Sequence, residues 1–565
     1  MTYQADTTLV PGGHISLRLI PVPGLPAAAQ RPYYVGDASV YLFGKNGEAP
    51  NDSMMYKNLN IHYYKKLQVR PNMLYRWLNY QQFVRNAQMR ASNRTRLYSQ
   101  YRQEQVQEKL SQLGIFSYMD MQYAPRDTTA ACDTLDVTMQ ATFAKPLDAE
   151  LELNVVTKSN DQTGPGASFG VTRNNVFGGG ESWNVKLKGS YEWQTGGGEK
   201  SSLMNSWEMG LSTSLTFPRV VFPHLGKREF DFPATTTFRL YINQLNRAKY
   251  YKLLSFGGNA TYDFQPSRTS RHSITPFKLT FNVLQHQSED FKEIAEANPA
   301  LYVSLRNQFI PAMEYTYTYD NASGRRIKNP IWWQSTVTSA GNITSLIYRA
   351  FGKPFNEEDK SLLGAPFAQF VKLNTELRHL WNIDKNNAIA SRMAVGALFT
   401  YGNATIAPYS EQFYVGGANS IRAFTVRSVG PGGYHPEEGK YSYLDQTGTF
   451  RFEANVEYRF RIFKSFWGAT FLDAGNVWLL RKDRKLLADG KEARPNSQLR
   501  LKTFPKQIAL GTGVGIRYDM DILVFRLDFG IPLHLPYDTE RSGYYNVTGA
   551  FFKNLGIHFA IGYPF

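Results

Sequence analysis

The sequence predicts a mainly β protein, with a C-terminal transmembrane antiparallel β-barrel of about 16 strands behind a small α+β domain. Three observations carry that reading. From about residue 147 onward, apolar and polar residues alternate in runs punctuated by Gly, Asn, Asp and Pro. Beyond the first 145 residues helical signals largely vanish. Aromatics make up 14 % of the chain, 37 Phe, 35 Tyr and 9 Trp beside 45 Gly, a mixture that favours strands and tight turns.

At 565 residues the chain is too long for one ordinary globular domain. Mean hydropathy is −0.40, and no run approaches the ~18 apolar residues that a spanning helix requires, which excludes a helical membrane protein. A barrel passes the same test, because only alternate strand residues face lipid. The net charge of +16 is spread over loops and alternate strand positions, without zinc-finger spacing or a basic-region helix, so nucleic acid is not expected. Anionic head groups or a polar lumen absorb such charge more naturally. Cys132, alone in the chain, rules out an internal disulfide and a multi-cysteine metal site, and reads as a small loop residue. The start, Met1 to Asp6, lacks the charged and apolar stretches of a secretory signal; a barrel reading therefore implies that a segment upstream of Met1 has been lost.

Within the first 145 residues, a strand is expected at Tyr33 to Phe43 and a short helix at Leu74 to Phe83, after Pro71-Asn72. A second helix, Tyr101 to Leu113, places Val106, Leu110 and Leu113 on one face and stops at Gly114. Strands follow at Phe116 to Tyr123 and, past a polar turn around Asp127, at Thr134 to Thr142. Strand, two helices and two strands make a compact α+β unit over residues 31–145. Residues 1–30, with a strand-like His14 to Ile20, read as the remnant of a preceding unit, and residues 146–565 as the barrel.

The barrel strands are legible singly. In Thr449 to Phe460 the even positions are Phe450, Phe452, Ala454, Val456, Tyr458 and Phe460, and the odd ones include Arg451, Glu453, Glu457 and Arg459. Gln507 to Asp519 repeats the scheme, with Gln507, three glycines, Arg517 and Asp519 on its polar face. Phe525, Leu527 and Phe529 alternate with Arg526 and Asp528. The terminal run sets Leu555, Ile557, Phe559, Ile561, Tyr563 and Phe565 against Gly556, His558, Ala560, Gly562 and Pro564. A soluble sandwich also alternates, but opposed charges do not suit its dry core and strands of this length are long for soluble sheets. Roughly 420 residues at about 10 per strand, with turns and long loops, accommodate about 16 strands.

No catalytic set emerges. Gly166-Ala167-Ser168-Phe169-Gly170 matches the nucleophile elbow, but that motif needs a helix behind it, and Val171-Thr172-Arg173 continues a strand. The nine His residues show no metal spacing, and there is no phosphate-binding glycine loop, so neither cofactor nor metal nor enzymatic activity is expected. Gly511, Gly513 and Gly515 share one strand face, where backbone or a plug loop could approach closely.

The most informative segments are Phe413 to Phe424, Glu453 to Phe460 and Phe471 to Trp478. Together they resemble the BamA/TamA superfamily of outer-membrane insertases and transporters. In that family a long sixth extracellular loop tucks a Val/Ile-Arg-Gly-Phe/Tyr motif into the lumen, and acidic residues on neighbouring strands receive the arginine. The resemblance puts Ile421, Arg422, Ala423 and Phe424 in the motif and makes Glu457 and Asp473 its acidic partners. Phe565 matches the closing residue of the C-terminal strand signal. Ala423 departs from the usual glycine and removes easy access to positive φ. Independently, a guanidinium in a narrow lumen must be paired, and Glu457 lies on the polar face that alternation already defines.

Residues 31–145 resemble the periplasmic POTRA module of such barrels, with Leu113-Gly114-Ile115-Phe116 at its helix-to-strand junction. Leu151 to Val156, Thr157 to Asp161 and Asn174 to Gly180 resemble the first barrel hairpin of the Bacteroidetes TamA-like lipoprotein variant, TamL. What the resemblance implies is assembly of other polypeptides. A lateral gate would open between a first strand bearing Leu151, Leu153 and Val155 and a last one bearing Leu555, Ile557, Phe559, Ile561, Tyr563 and Phe565, so that a client strand pairs with the exposed edge. The expected location is the outer membrane, with the N-terminal domain in the periplasm. Expected partners are membrane lipid, unfolded or nascent outer-membrane clients, and periplasmic or inner-membrane accessory proteins. The competing readings are a two-partner-secretion transporter that threads its client through the lumen, and a passive porin.

Overall fold

The computed structural model describes residues 2–6, 16–20, 24, 31–57, 59–78, 97–129, 131–157, 162–194, 206–222, 234–247, 251–289, 292, 307–323, 327–355, 360–362, 365–403, 407–408, 411–436, 446–482, 492, 494–520, 523–541, 543–549, 552 and 554–565. The chain divides into two compact units: Met1–Asp148 with Thr172–Trp183, and Ala149–Val171 with Asn184–Phe565.

In the first unit, β1 (Thr2–Asp6) pairs antiparallel with β2 (Ser16–Ile20). A five-stranded sheet then follows the order β4-β5-β3-β7-β6, from β3 (Tyr34–Phe43), β4 (Asp52–Tyr56), β5 (Leu59–Tyr63), β6 (Phe116–Pro125) and β7 (Thr134–Phe143). The central β3 is parallel to both β5 and β7. Among the described residues the unit also holds two helices, α1 (Pro71–Leu78) and α2 (Gln100–Gln112). Residues 79–83, the rest of the expected first helix, lie outside the described residues. Val106 and Leu110 are buried in a core with Val40, Leu42, Leu59, Ile61 and Met139, and Leu113 packs at its edge. The expectation of one strand before the helices missed β4 and β5. Leu59, Ile61 and Tyr63 do carry period two, but in a strand only five residues long.

The second unit is built on a 16-stranded sheet. It opens with β8 (Leu147–Thr157), β9 (Gln162–Asn174), β10 (Ser182–Gln194) and β11 (Ser206–Phe217). Next come β12 (Ala234–Arg247), β13 (Tyr251–Ser267), β14 (Ser270–Gln287), β15 (Gln308–Asp320) and β16 (Ile331–Ala340). After helix α3 (Asn342–Ala350) and a two-residue ladder of β17 (Ser361–Leu362) with β18 (Ala365–Pro366), the sheet resumes with β19 (Phe370–Asn382) and β20 (Asn387–Thr400). It ends with β21 (Phe450–Phe463), β22 (Phe466–Trp478), β23 (Ala509–Asp519), β24 (Val524–His534) and β25 (Gly556–Ile561). Each strand pairs with its neighbour in chain order, and β8 and β25 stand at the two ends of that order.

Burial is inverted relative to a soluble sheet. Along β21, Glu453, Asn455, Glu457 and Arg459 are buried while Val456 and Tyr458 are 47 % and 38 % exposed. In β23, Arg517 is buried and Val514, Ile516 and Tyr518 are exposed. A sheet that hides its charges and displays its aliphatic and aromatic side chains has curled around its polar face and turned its apolar face to lipid. Ser168, the apparent nucleophile, is a strand residue of β9 donating to Glu152 Oε2 at 3.0 Å.

Two boundaries differ from expectation. Gln507 belongs to a 3-10 turn, Phe504–Gln507, ahead of β23, where its Oε1 accepts from Trp478 Nε1 at 2.9 Å. The last strand spans Gly556–Ile561 rather than running to Phe565. Gly562 breaks it with φ of 88°, a left-handed conformation that ends the ladder, and Pro564 brings no N–H to resume it. Leu555 therefore precedes the strand, and Tyr563 and Phe565 follow it instead of extending its outward row.

Candidate functional site

Between β20 and β21, residues 411–436 of the connecting loop return into the polar interior, where Val415, Ile421, Arg422 and Val429 are at most 1 % exposed. Its tip is a turn closed by Phe424 N donating to Ile421 O at 3.0 Å, which presents Arg422 and Ala423 at the two central positions. Gly417 N donates to Phe424 O at 2.7 Å, and Ser420 Oγ, donating to Glu453 Oε2 at 2.6 Å, ties the turn to β21. Ala423 is absent from the residues with positive φ, so this turn does not need the glycine that the resemblance leads one to expect.

Arg422 meets Asp473 of β22 in a two-pronged pair, Nε to Oδ2 at 2.8 Å and Nη2 to Oδ1 at 2.9 Å, and its backbone N donates to Oδ2 at 3.0 Å. Its Nη1 donates to Glu457 of β21. The guanidinium lies 3.5 Å from the Phe471 ring centre, a cation over an aromatic face. Asn455 Nδ2 braces the pair, donating to Asp473 Oδ1 at 2.9 Å and to Ser420 O at 2.7 Å. The structure thus brings Arg422, Glu457 and Asp473 together on three separate segments of chain.

The cluster extends beyond the two acids expected from the sequence. Asp528 of β24 lies 3.8 Å from Arg422 Nη1 and 2.6 Å from Arg517 Nη1. Glu457 also receives Arg517 at 3.1 Å and Arg459 at 2.8 Å. Four guanidiniums, of Arg422, Arg459, Arg517 and Arg526, face three carboxylates; Glu457 and Asp528 are each shared among several arginines while Asp473 serves Arg422 alone, so none can be removed without leaving a buried cation short of a partner. Arg526 Nη2 also donates to Asn419 Oδ1 of the loop at 2.6 Å. Asp528 was visible as the polar alternate of Leu527 and Phe529; only its convergence on the loop was not.

The glycines on β23 and β24 make room for the turn. A Cβ on Gly511 would stand 2.4 Å from the Ala423 methyl, and one on Gly530 would stand 2.6 Å from the Arg422 carbonyl oxygen. That carbonyl accepts from His558 Nε2 of β25 at 2.7 Å, so the turn is bonded to the last strand as well as to β21 and β22. Beyond Gly562 the tail turns the same way. Arg459 Nη2 donates to Phe565 O at 3.2 Å and its guanidinium lies 4.2 Å from the Tyr563 ring centre.

Of the expected gate residues, Leu151 and Leu153 on β8 and Ile557, Phe559 and Ile561 on β25 are exposed, and the side chain of Val155 lies outside the described residues. Among the described residues no group of three or more His, Cys, Asp or Glu is arranged to hold a metal.

Residues 175–565 match the Omp85 superfamily domain. The chain belongs to the Omp85 superfamily. Its fold is similar to the crystal structure of BamA from Haemophilus ducreyi lacking POTRA domains 1-3, at 12 % identity over 90 % of this chain and 88 % of that one, with a TM-score of 0.54. CdiB from Acinetobacter baumannii is 11 % identical over 85 % of this chain and 73 % of its own, with a TM-score of 0.44. Membership makes the sheet an outer-membrane β-barrel of the group that inserts or secretes polypeptides, whose members work without enzymatic chemistry.

Proposed function

We propose that this Omp85 barrel inserts or exports client polypeptides through a lateral gate between β8 and β25, with the Arg422 turn as its internal latch. The observation that carries the reading is the bond from His558 to the Arg422 carbonyl, because it joins the loop clamp to the strand that would have to move. The edge itself is built weakly. β25 is six residues long against eleven in β24, so few ladder bonds hold it. A strand end with unmatched N–H and C=O groups is a template on which a client strand can pair.

In this scheme residues 31–145 are a POTRA domain in the periplasm, residues 1–30 the tail of another, and residues 146–565 the barrel. Clients are unfolded or nascent outer-membrane proteins, delivered with periplasmic or inner-membrane accessory proteins. The exposed Ile557, Phe559 and Ile561 press on lipid beside the seam.

The test is disulfide trapping in a Cys132→Ser background, scanning cysteine pairs between Leu151 to Val156 and Gly556 to Ile561, in cells depleted of the native protein. Locked protein that folds but no longer inserts other barrels supports the gate. Locked protein that works normally removes the gate and leaves threading through the lumen, as in two-partner secretion.

A further inference from the structure

Helix α3 is built inside out. Its apolar residues recur as Ile343, Leu346 and Ile347, continued by Phe351 just past its end, one stripe at helical spacing. All four are exposed, Phe351 by 84 %. The face turned inward is mostly polar: Tyr348 packs its ring against Phe367, but Thr344 and Ser345 are buried, and Ser345 Oγ donates to Gln369 Oε1 at 2.9 Å and accepts from the buried Lys360 Nζ at 3.0 Å. A surface helix in water does the reverse, hiding its apolar stripe and showing its polar face.

The helix is fixed in this attitude. Gly341, with φ of 69°, joins it directly to the end of β16, and a Cβ there would lie 2.3 Å from Ala368 O. Asn342 accepts from Tyr401 OH at 2.9 Å and donates to Ser339 Oγ at 2.8 Å, and Tyr348 OH donates to Ser361 O. Rolling the stripe inward would break these bonds and take Ser345 Oγ away from both Gln369 and the Lys360 ammonium.

We infer that α3 lies in the membrane-water interface, its stripe sunk among the acyl chains of the leaflet at the barrel end where the Arg422 loop enters, as a lipid anchor outside the wall. Continuity places lipid there. The last outward row of the wall below the helix runs Met313, Ser339, Val371, Phe399 across four paired strands, with Met313 and Phe399 exposed, and the stripe begins four residues after Ser339. Charge agrees: Arg349 and Lys353 are exposed at the helix end, where they meet anionic head groups. The inference rests on the barrel being embedded in a membrane and is independent of the gate.

The experiment uses the full chain with Cys132→Ser and a single cysteine at Leu346, Phe351 or Arg349, each labelled with bimane. The labelled proteins are reconstituted in phosphatidylethanolamine vesicles containing phosphatidylglycerol and a lipid spin-labelled near the head-group end of its acyl chain. All three sites are exposed, and heat-modifiable gel migration confirms that each variant folds. The expected result is several-fold stronger quenching by the spin-labelled lipid at positions 346 and 351 than at 349, with the reverse order for aqueous iodide. Iodide quenching at 346 equal to that at 349 would overturn the inference. So would shielding of 346 from both quenchers, which in a dimer-sized particle would assign the stripe to a second copy of the chain and in a monomer to a covering loop.

Discussion

Neutralising Asp473 probes the latch most sharply. Asp473→Asn keeps the size of the side chain but replaces a carboxylate that accepts three bonds from Arg422 and one from Asn455 with an amide carrying only one acceptor oxygen. The cluster then holds four buried guanidiniums against two acids, and the amide N–H group faces the donors of Arg422. Breaking one side of a buried, hydrogen-bonded ion pair costs about 3–5 kcal/mol, a shift of roughly a hundredfold to a few thousandfold in the folded ratio. Because Glu457 and Asp528 still face the arginine, the lower half of that range is expected. The assay is urea unfolding in detergent micelles, read by heat-modifiable migration. Glu289→Gln, which breaks an exposed ion pair with Lys292, serves as a control expected to change stability by less than about 1 kcal/mol. Removing both partners, with Arg422→Met and Asp473→Leu, should recover much of the loss. If Asp473→Asn unfolds at the same urea concentration as the Glu289 control, the interior is wet enough to solvate the arginine and the latch argument fails.

Gly530→Ala should displace the turn at a cost of about 1–3 kcal/mol, because the new methyl meets the Arg422 carbonyl and the Ala423 amide, both backbone; faster protease cleavage within residues 401–449 is the readout. Leu110→Ala should destabilise the N-terminal unit by about 2–5 kcal/mol, seen as lost amide protection in β3 and β7 while the barrel's gel migration is unchanged. In the same unit, hydrogen bonding from Arg126 holds the Asp136 carboxyl below its ordinary value. A depressed carboxylate contributes stability that is present above its unfolded pKa and lost as pH falls through the folded one. The destabilisation caused by Asp136→Asn at neutral pH should therefore fade below about pH 4, as measured by amide exchange across that window.

How much of this was legible in the sequence depends on the range of the interactions. Strands such as β21 announce themselves because alternation is local: Glu453, Glu457 and Arg459 sit at odd positions whatever the rest of the chain does. The pairing of Arg422 with Glu457 and Asp473 follows from a family motif and not from spacing. Asp528, Arg517 and Arg459 had been placed on polar faces, but nothing local says that the interior of several strands converges on one turn. His558 was read only as a polar alternate, since its bond to Arg422 O spans 136 residues. The terminal strand was read too long because Tyr563 and Phe565 continue the alternation, and Gly562 stops it through backbone conformation. The polarity of α3 was hidden for the opposite reason: its stripe is ordinary, and only the buried Ser345 and Lys360 reveal which face is turned inward.

The link between latch and seam is the central claim, and amide hydrogen exchange on the reconstituted protein tests it directly by comparing the native chain with His558→Ala. The side chain of His558 takes no part in the ladder between β24 and β25, so its loss leaves those backbone bonds intact. If the Arg422 turn holds the last strand, amides of Gly556 to Ile561 should exchange about fivefold faster or more, the equivalent of roughly 1 kcal/mol for one lost hydrogen bond, while β21 and β22 stay protected. Unchanged exchange in β25 would contradict the account, leaving Arg422 as a plug within the lumen with no hold on the edge of the sheet.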